Sequence, residues 1–498
     1  MLGHTYSYPD HIIVSPHRLG GGYLFMRDEL IVDDNSYDDL RGALGSFRFR
    51  WTITRRVISR EIFGSDPHHV DVGLPEKPSP VVGPGGRLMR SGPQRSGSWL
   101  IEMALLLPRF VWKLLLAVGF LARARLLLSL ETQLLQDPPV DGYHHLKFQR
   151  NAGARLVTPL VVDRLSEIEL SDDYGTIDAI PNHVAWPSSH MHGASVAPPL
   201  AAAKFGLPSG PAGRGVTIAI LDNGVNERHE WLKGRLVYLG GRSAATDGVW
   251  PLANNGPMPA FYGHGTFLAG QVLQAAPRAI ILPLRVIDQS GYLNDIGLAK
   301  GIDRLPTSGP TAPDIIVLAL GGHVHDNTVF GATKVAISKH QLANPGCVFL
   351  ASAGNEHTSD PVYPAAFANV TGVAALDPAG RLACFSNYNT TGQASWVNVG
   401  TLGVGLESAF VTADHVFPQP RNGSTPTATD PYPEVRCLGI PFNQDSTFKD
   451  YASLSGTSMS TGRLAGLVAA AAGAGTAKAA LAQLIGGQPF DSRVGAVL

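Results

Sequence analysis

From Gly215 onward the chain is built of continuous apolar runs with helical patterns between them, and this limits the fold more than any other feature. The runs are Val216-Thr-Ile-Ala-Ile-Leu221, Ile280 to Val286, Asp314 to Leu320, Cys347 to Ala351 and Val370 to Ala375. A strand with one wet face alternates apolar and polar side chains, whereas a run apolar at every position buries both faces. Ile296 to Leu305 and Thr328 to Leu342 carry the spacing of helices between such strands. Apolar strands separated by helices predict an α/β fold, a parallel sheet with helices on both faces. Sites in such folds lie at the carboxyl ends of the strands.

Composition sets the outer limits. At about 150 residues per domain, a chain of this length makes two or three. Hydrophobic residues make up 44% and charged residues 16%, with 56 Gly and 37 Pro; this excludes a coiled coil and a fully disordered chain. A net charge of −1 supplies no field that would gather nucleic acid or anionic lipid. Cys347, Cys384 and Cys437 have no Cys-x-x-Cys spacing. They exclude a disulfide scaffold, allow one bridge at most and do not support a structural zinc site. The start, Met-Leu-Gly-His-Thr-Tyr-Ser-Tyr-Pro-Asp, lacks a basic segment followed by an apolar run, so no secretory signal is read and a cytoplasmic location is expected. The sequons at Asn369, Asn389 and Asn422 are accordingly read as chance.

Two parts are expected, 1–200 and 205–498, with the Pro/Gly-rich stretch from Pro187 to Gly215 as their boundary. In the first part, Gly20 to Phe63 reads strand, helix, strand, with Tyr23 to Val32 as its first strand. Asp66 to Ser98 reads as a linker, and Gln149 to Trp186 as a second short strand-helix-strand piece. Between these pieces, 99–135 is strongly apolar. Its longest charge-free run, Leu114 to Ala122, has nine residues, against the about 20 needed to cross a bilayer. Glu102, Arg109, Lys113, Arg123 and Arg125 interrupt it without gathering on one face. Helices buried against another domain are the expectation; an interfacial helix with peripheral membrane association is the alternative.

Four segments carry candidate chemistry. Asp222 closes the first apolar run, in Leu221-Asp-Asn-Gly224. His264 stands between glycines in Tyr262-Gly-His-Gly-Thr-Phe-Leu-Ala-Gly270, at the start of a helical run. Asn355 ends Val348-Phe-Leu-Ala-Ser-Ala-Gly-Asn355. Ser458 lies in Ser455-Gly-Thr-Ser-Met459 before an apolar helix, whose free N–H groups and positive dipole end would flank its hydroxyl. Taken singly, each has an ordinary structural reading: a turn aspartate, a packed histidine, a turn asparagine, an N-cap serine.

Together, in this order, the four segments resemble the subtilisin-like serine peptidase family, over about Gly210 to Gly475. Pro313 to Gly322, Tyr363 to Ala375 and Phe385-Ser-Asn-Tyr388 add weaker matches. The resemblance implies a hydrolase with a subtilisin fold and a triad. Ser458 would attack the scissile carbonyl, His264 would carry the proton, and Asp222 would hold the imidazole. The Asn355 amide and the Ser458 N–H would form the oxyanion hole. A protein or peptide substrate would add as a strand between Gly291–Leu293 and Ala319, Leu320 and Gly321. No organic cofactor is implied. Calcium is common in the family, but no Asp cluster here has the spacing to place it.

Three positions depart from the family pattern. Asn223 replaces a small hydroxyl residue, Ala319 a frequent Ser, and Gly462 an almost invariant Pro. Glycine costs a helix about 1 kcal/mol relative to alanine, and at 462 it is expected to loosen the turn that aims Ser458. The N-terminal part is expected to be propeptide-like, restraining or templating the peptidase. The rival reading is a subtilisin-fold peptide-binding module with weak or no catalysis.

Overall fold

The computed structural model describes residues 12–16, 22–33, 143–147, 179–187, 200–239, 262–287, 291–324, 328–415, 446–473 and 475–498. The chain divides into two compact units, one of residues 1–31, 138–145 and 180–498, the other of 32–137 and 146–179. The second unit falls almost wholly outside the described residues. With it go the expected helix after Asp33, the strand at Phe47 to Thr54, the linker, the apolar stretch 99–135 and most of Gln149 to Trp186. The Pro/Thr-rich loop around Pro418 to Pro433 lies outside as well.

In the first unit, β1 (Ile12–Pro16), β2 (Gly22–Asp33), β3 (Tyr143–Lys147) and β4 (Ala179–Pro187) belong to one sheet, with β2 between β1 and β4 and also paired to β3. β2 covers the strand expected at Tyr23 to Val32. A two-residue strand, β5 (Leu200–Ala201), opens the rest of the chain.

The main sheet has eight strands. β6 (Thr217–Asp222), β7 (Ile280–Arg285), β9 (Ile315–Leu318), β11 (Val348–Ser352) and β12 (Thr371–Leu376) are the five apolar runs. β13 (Val397–Leu402) and β19 (Gly495–Val497) extend the parallel array, and β18 (Phe490–Asp491) closes one edge antiparallel. The spatial order is β18-β19-β13-β12-β11-β9-β6-β7.

Alternate residues of each central strand face opposite helical layers. Ile218, Ile220, Val317 and Leu350 pack with Phe267, Val272, Leu464 and Val468, from helices α1 (His264–Ala275) and α4 (Thr457–Ala472); α5 (Ala477–Ile485) adds Leu481. Ala219, Leu221, Ile316 and Phe349 pack with Ile296, Ile302 and Ile337, from α2 (Asp295–Asp303) and α3 (Gly331–Ala343). Burial is worth about 1.5–3 kcal/mol per large aliphatic or aromatic side chain, so a polar residue at Ile220 or Phe349 would lose one helical layer. The double-faced sheet expected from the sequence is therefore present.

Smaller strands complete the unit. β8 (Leu293–Asn294) and β10 (Leu320–Gly321) flank the site described below. β14 (Leu406–Ala409) pairs with β17 (Tyr451–Leu454), which also pairs with β5. β15 (Ala413–His415) and β16 (Ser446–Phe448) form an antiparallel pair. Cys384 is disulfide-bonded, whereas Cys347 is a buried thiol whose pKa burial pushes up. Among the described residues no single helix is long and apolar enough to cross a membrane.

Candidate active site

Two helices bring chemistry to the carboxyl end of the sheet, and neither is capped by the side chain of its own N-cap residue. α2 and α5 are capped by side chains, Asn294 on Gly297 N–H and Thr476 on Ala479 N–H. α1 starts after Gly263 (φ 85°) and α4 after Gly456 (φ 155°), neither with a side-chain cap. Their first N–H groups are thus left for other partners. Ser458 is the second residue of α4, so its hydroxyl is not an N-cap.

Asp222 ends β6, and its Oδ2 lies 2.8 Å from His264 Nδ1. The pair is buried, and the second carboxylate oxygen accepts the Asn223 N–H at 2.8 Å. With Nδ1 facing a carboxylate, the ring is oriented with Nε2 pointing away from Asp222. Among the described residues, His264 Nε2 has no hydrogen-bond partner. The Asp222 turn and α1 are joined directly. Asn223 Oδ1 accepts the Gly265 N–H at 3.0 Å, and Thr266 Oγ1 accepts the Asn226 N–H at 2.8 Å. Gly265 is required here, because a Cβ would lie 2.2 Å from Gly224 O. Asn223, a departure by family pattern, thus supplies one of these ties, which its sequence context did not announce.

Asn355 follows β11 and faces the start of α4. Its Oδ1 accepts the Thr457 N–H at 2.9 Å, while Thr457 Oγ1 accepts the Gly354 N–H at 3.2 Å. Asn355 is 4% exposed, and among the described residues its Nδ2 has no partner. An amide whose oxygen is fixed one residue from Ser458 and whose N–H₂ is open is a preorganised donor. Ser458 is fully buried, and its Oγ donates to Ala319 O at 3.1 Å. Gly462 sits one turn later inside α4 and is buried; a Cβ there would lie 3.1 Å from Leu268 Cδ2 of α1. It occupies the contact between the two chemistry-bearing helices.

The segments expected to hold a substrate strand already hold one. β4 runs antiparallel to both β8 and β10, pairing Val184 with Asn294, Ala185 with Leu293, Trp186 with Gly321 and Pro187 with Leu320. Ala185 packs in the apolar cluster with Leu293, Ile296 and Leu320. The His183 ring stacks on Phe330 at 5.5 Å and its Nε2 lies 3.3 Å from Thr328 Oγ1. Gly291 (φ 85°) leads into β8, and Gly321 fits where a Cβ would strike Val362 Cγ1 at 2.6 Å. Nothing in the sequence of β4 marked it as the occupant of this groove.

Behind the groove, Asp295 joins β8 to the far helical layer. Its two oxygens accept the N–H groups of Thr333 (2.8 Å) and Ala332 (3.1 Å), capping α3, whose own N-cap residue, Phe330, contributes no side-chain bond. Burial pushes this carboxyl up to about 6, against the pull of those donors.

Residues 213–476 match the model of the Subtilase family, peptidase S8. The chain belongs to that family and is by class a subtilisin-like serine-type endopeptidase. It is 30% identical to Thermitase of Thermoactinomyces vulgaris over 266 residues, covering 51% of this chain and 74% of that protein. It is 29% identical over 273 residues to the Thermophilic serine proteinase of Bacillus sp. (strain AK1), covering 52% of this chain and 53% of the relative. The matched region thus spans only about half of this second relative. The Thermostable alkaline protease of Halalkalibacterium halodurans (strain ATCC BAA-125 / DSM 18197 / FERM 7344 / JCM 9153 / C-125) is 26% identical over 266 residues, covering 52% and 56% of the two chains. As to calcium, no group of three or more His, Cys, Asp or Glu side chains converges among the described residues. No step below is routed through the ion.

Proposed function

We propose that this chain hydrolyses peptide bonds with Ser458 as nucleophile, His264 as general base and acid, and Asp222 as the group that orients and stabilises the imidazole. Asn355 Nδ2 and the Ser458 N–H form the oxyanion hole. The observation that carries this reading is the Asn355 amide, fixed through Oδ1 to the residue before Ser458 and open at Nδ2. Ser458 Oγ attacks the substrate carbonyl carbon as its proton passes to His264 Nε2. The tetrahedral oxyanion takes the two N–H donors. Collapse breaks the C–N bond, and His264 returns the proton to the leaving amine. Water, deprotonated by His264, then attacks the acyl carbon; the C–O bond to Ser458 breaks and His264 returns the proton to Ser458 Oγ.

The bond from Ser458 Oγ to Ala319 O gives this cycle a resting state. A substrate main-chain N–H arriving along β10 competes for that carbonyl and frees the hydroxyl to turn towards His264. We further propose that the N-terminal part restrains the peptidase by seating β4 in the substrate path. The antiparallel pairing on both walls is what an extended peptide substrate would make.

The test is a serine-directed covalent probe with the labelled residue mapped by mass spectrometry. Labelling at Ser458 is expected; Ser458→Ala should abolish it and lower peptide hydrolysis by at least about 10³-fold, with an unchanged fold. A chain that binds peptides but never labels, even with β4 displaced, is the peptide-binding module instead.

A further inference from the structure

Asn355 can act as an oxyanion donor only if the turn around it holds still, and besides Thr457, which takes the Gly354 N–H, the Asn387 side chain holds that turn. Asn387 is fully buried. Its Oδ1 accepts the N–H groups of Glu356 and Thr358, both at 3.0 Å. Its Nδ2 donates to Ala353 O at 3.0 Å and to Glu356 Oε2 at 2.7 Å. Its main-chain N–H donates to Gly354 O at 3.0 Å. These bonds reach residues on both sides of Asn355, and none goes to Asn355 itself. They use both lone pairs of the amide oxygen and both hydrogens of its nitrogen.

The fit is close. Gly354 adopts φ 102°, and a Cβ there would fall 2.4 Å from Asn387 Nδ2 and 2.5 Å from Glu356 Oε2. Asn387 is itself held. Ser386 Oγ donates to Asn387 O at 3.1 Å and accepts the Ala375 N–H of β12 at 3.0 Å. The His357 N–H reaches Phe385 O at 2.9 Å, and the Tyr388 N–H reaches Thr358 O at 3.1 Å. The Phe385-Ser-Asn-Tyr388 segment thus works as a clamp braced on the main sheet.

We infer that Asn387 is a positioning residue for the reaction: it fixes residues 353–358 so that Asn355 Nδ2 meets the developing oxyanion. This rests on the reading that Asn355 supplies that donor. A displacement of about 1 Å in a reacting group costs about 10²-fold, comparable to losing the donor itself.

The experiment is a double-mutant cycle in the full chain, with kcat counted per Ser458 labelled by the probe, so that misfolded protein drops out. Asn387→Ala is expected to lower kcat about 30- to 300-fold with KM changed less than about threefold. In an Asn355→Ala background the same substitution should change kcat by less than about threefold. Asn387→Asp keeps the two acceptor bonds but sets a carboxylate against Glu356; adding Glu356→Gln restores a donor there and should recover at least about tenfold of the loss. This pair decides the matter if the alanine variant does not fold. The inference is overturned by parental kcat in Asn387→Ala, by a full second loss on top of Asn355→Ala, or by no recovery with Glu356→Gln. If Asn355→Ala itself leaves kcat unchanged, or the parent neither labels nor hydrolyses, the underlying reading fails and the inference falls with it.

Discussion

In the main sheet, β6 pairs along its length with β7 on one side and β9 on the other, and both faces are sealed by helices of the same unit. In the groove beside it, β8 and β10 have two residues each, and the strand between them, β4, comes from the N-terminal side of the chain. The sheet's pairing is intrinsic to the peptidase region and cannot be exchanged without unfolding it. Under the proposed restraint the groove's pairing is open to exchange, because any extended peptide offers the same backbone groups. Asp222, His264, Asn355 and Ser458 hang from the permanent part, and under the proposed restraint the exchangeable part decides what reaches them.

The sharpest test of the permanent half is Asn355→Ala. It removes one oxyanion donor and no core packing, so kcat should fall about 10²- to 10³-fold with little change in KM. The substitution also leaves the buried Thr457 N–H without its Oδ1 acceptor, so stability should fall by about 1–3 kcal/mol while the chain stays folded. A drop in KM-dependent binding with kcat intact would move Asn355 out of the chemistry and into the groove.

Asp295 joins the two halves, since it follows β8 and caps α3. Its carboxyl sits at about 6 in the fold against an ordinary 3.8, so the folded state holds the proton more tightly than the unfolded chain. The stability it contributes is full below pH 3.8 and is lost as pH rises through about 6. A gap of that size corresponds to about 3 kcal/mol. Urea unfolding of the parent and of Asp295→Asn, compared from pH 3 to pH 7, should show the parent losing about this much relative to the variant. A pH-independent difference would mean the anchor is ionised throughout and acts by hydrogen bonding alone.

Legibility in the sequence follows the same division. Val216-Thr-Ile-Ala-Ile-Leu221 and its fellows could be read as strands because burial on two faces leaves a run with no polar interruption. The strand β13, Val397-Asn-Val-Gly-Thr-Leu402, escaped because Asn398 is exposed and Gly400 breaks the run. The elements presenting Asp222, His264 and Ser458 were visible through glycines that permit close approach, such as Gly265 against Gly224 O. Asn387 and Asn223 could not be assigned their tasks, because an asparagine binding main-chain groups far away in sequence looks like any turn asparagine. β4 was hidden for another reason: an exchangeable partner is recognised through its backbone, and the backbone leaves no mark on side-chain pattern.

Displacing β4 tests the exchangeable half. Ala185 is fully buried among Leu293, Ile296 and Leu320, and a charge there has no partner among those three. Ala185→Arg should therefore expel the strand while leaving the main sheet folded. Hydrolysis of an added peptide, as kcat/KM, should rise about tenfold or more, since about 1.4 kcal/mol of lost occupancy suffices for that. The same change at Ala351 of β11, equally buried in the same cluster, should leave no folded protein. Equal outcomes at the two positions would erase the distinction between permanent and exchangeable pairing.

The smallest expected effect lies at Gly462, where the two chemistry-bearing helices touch. From sequence, a glycine in place of the family's proline was expected to loosen the turn that aims Ser458. The fold gives it a packing role: a Cβ at 462 would come within 3.1 Å of Leu268 Cδ2 and 3.4 Å of Gln271 Cβ, both on the helix that begins with His264. Leu268 Cδ2 is the far end of a flexible side chain and can give by a few tenths of an ångström. Gly462→Ala gains about 1 kcal/mol of helix propensity and spends most of it on that adjustment, so its stability and kcat should match the parent within about 1 kcal/mol and twofold. Proline at 462 adds the same Cβ and also withdraws the N–H that, in an α-helix, serves the carbonyl four residues earlier, that of Ser458. Gly462→Pro should therefore lower kcat a few-fold with KM nearly unchanged. A folded proline variant with higher kcat would show that the helix contact tolerates the ring and that a loose nucleophile turn, as the sequence suggested, is what limits turnover.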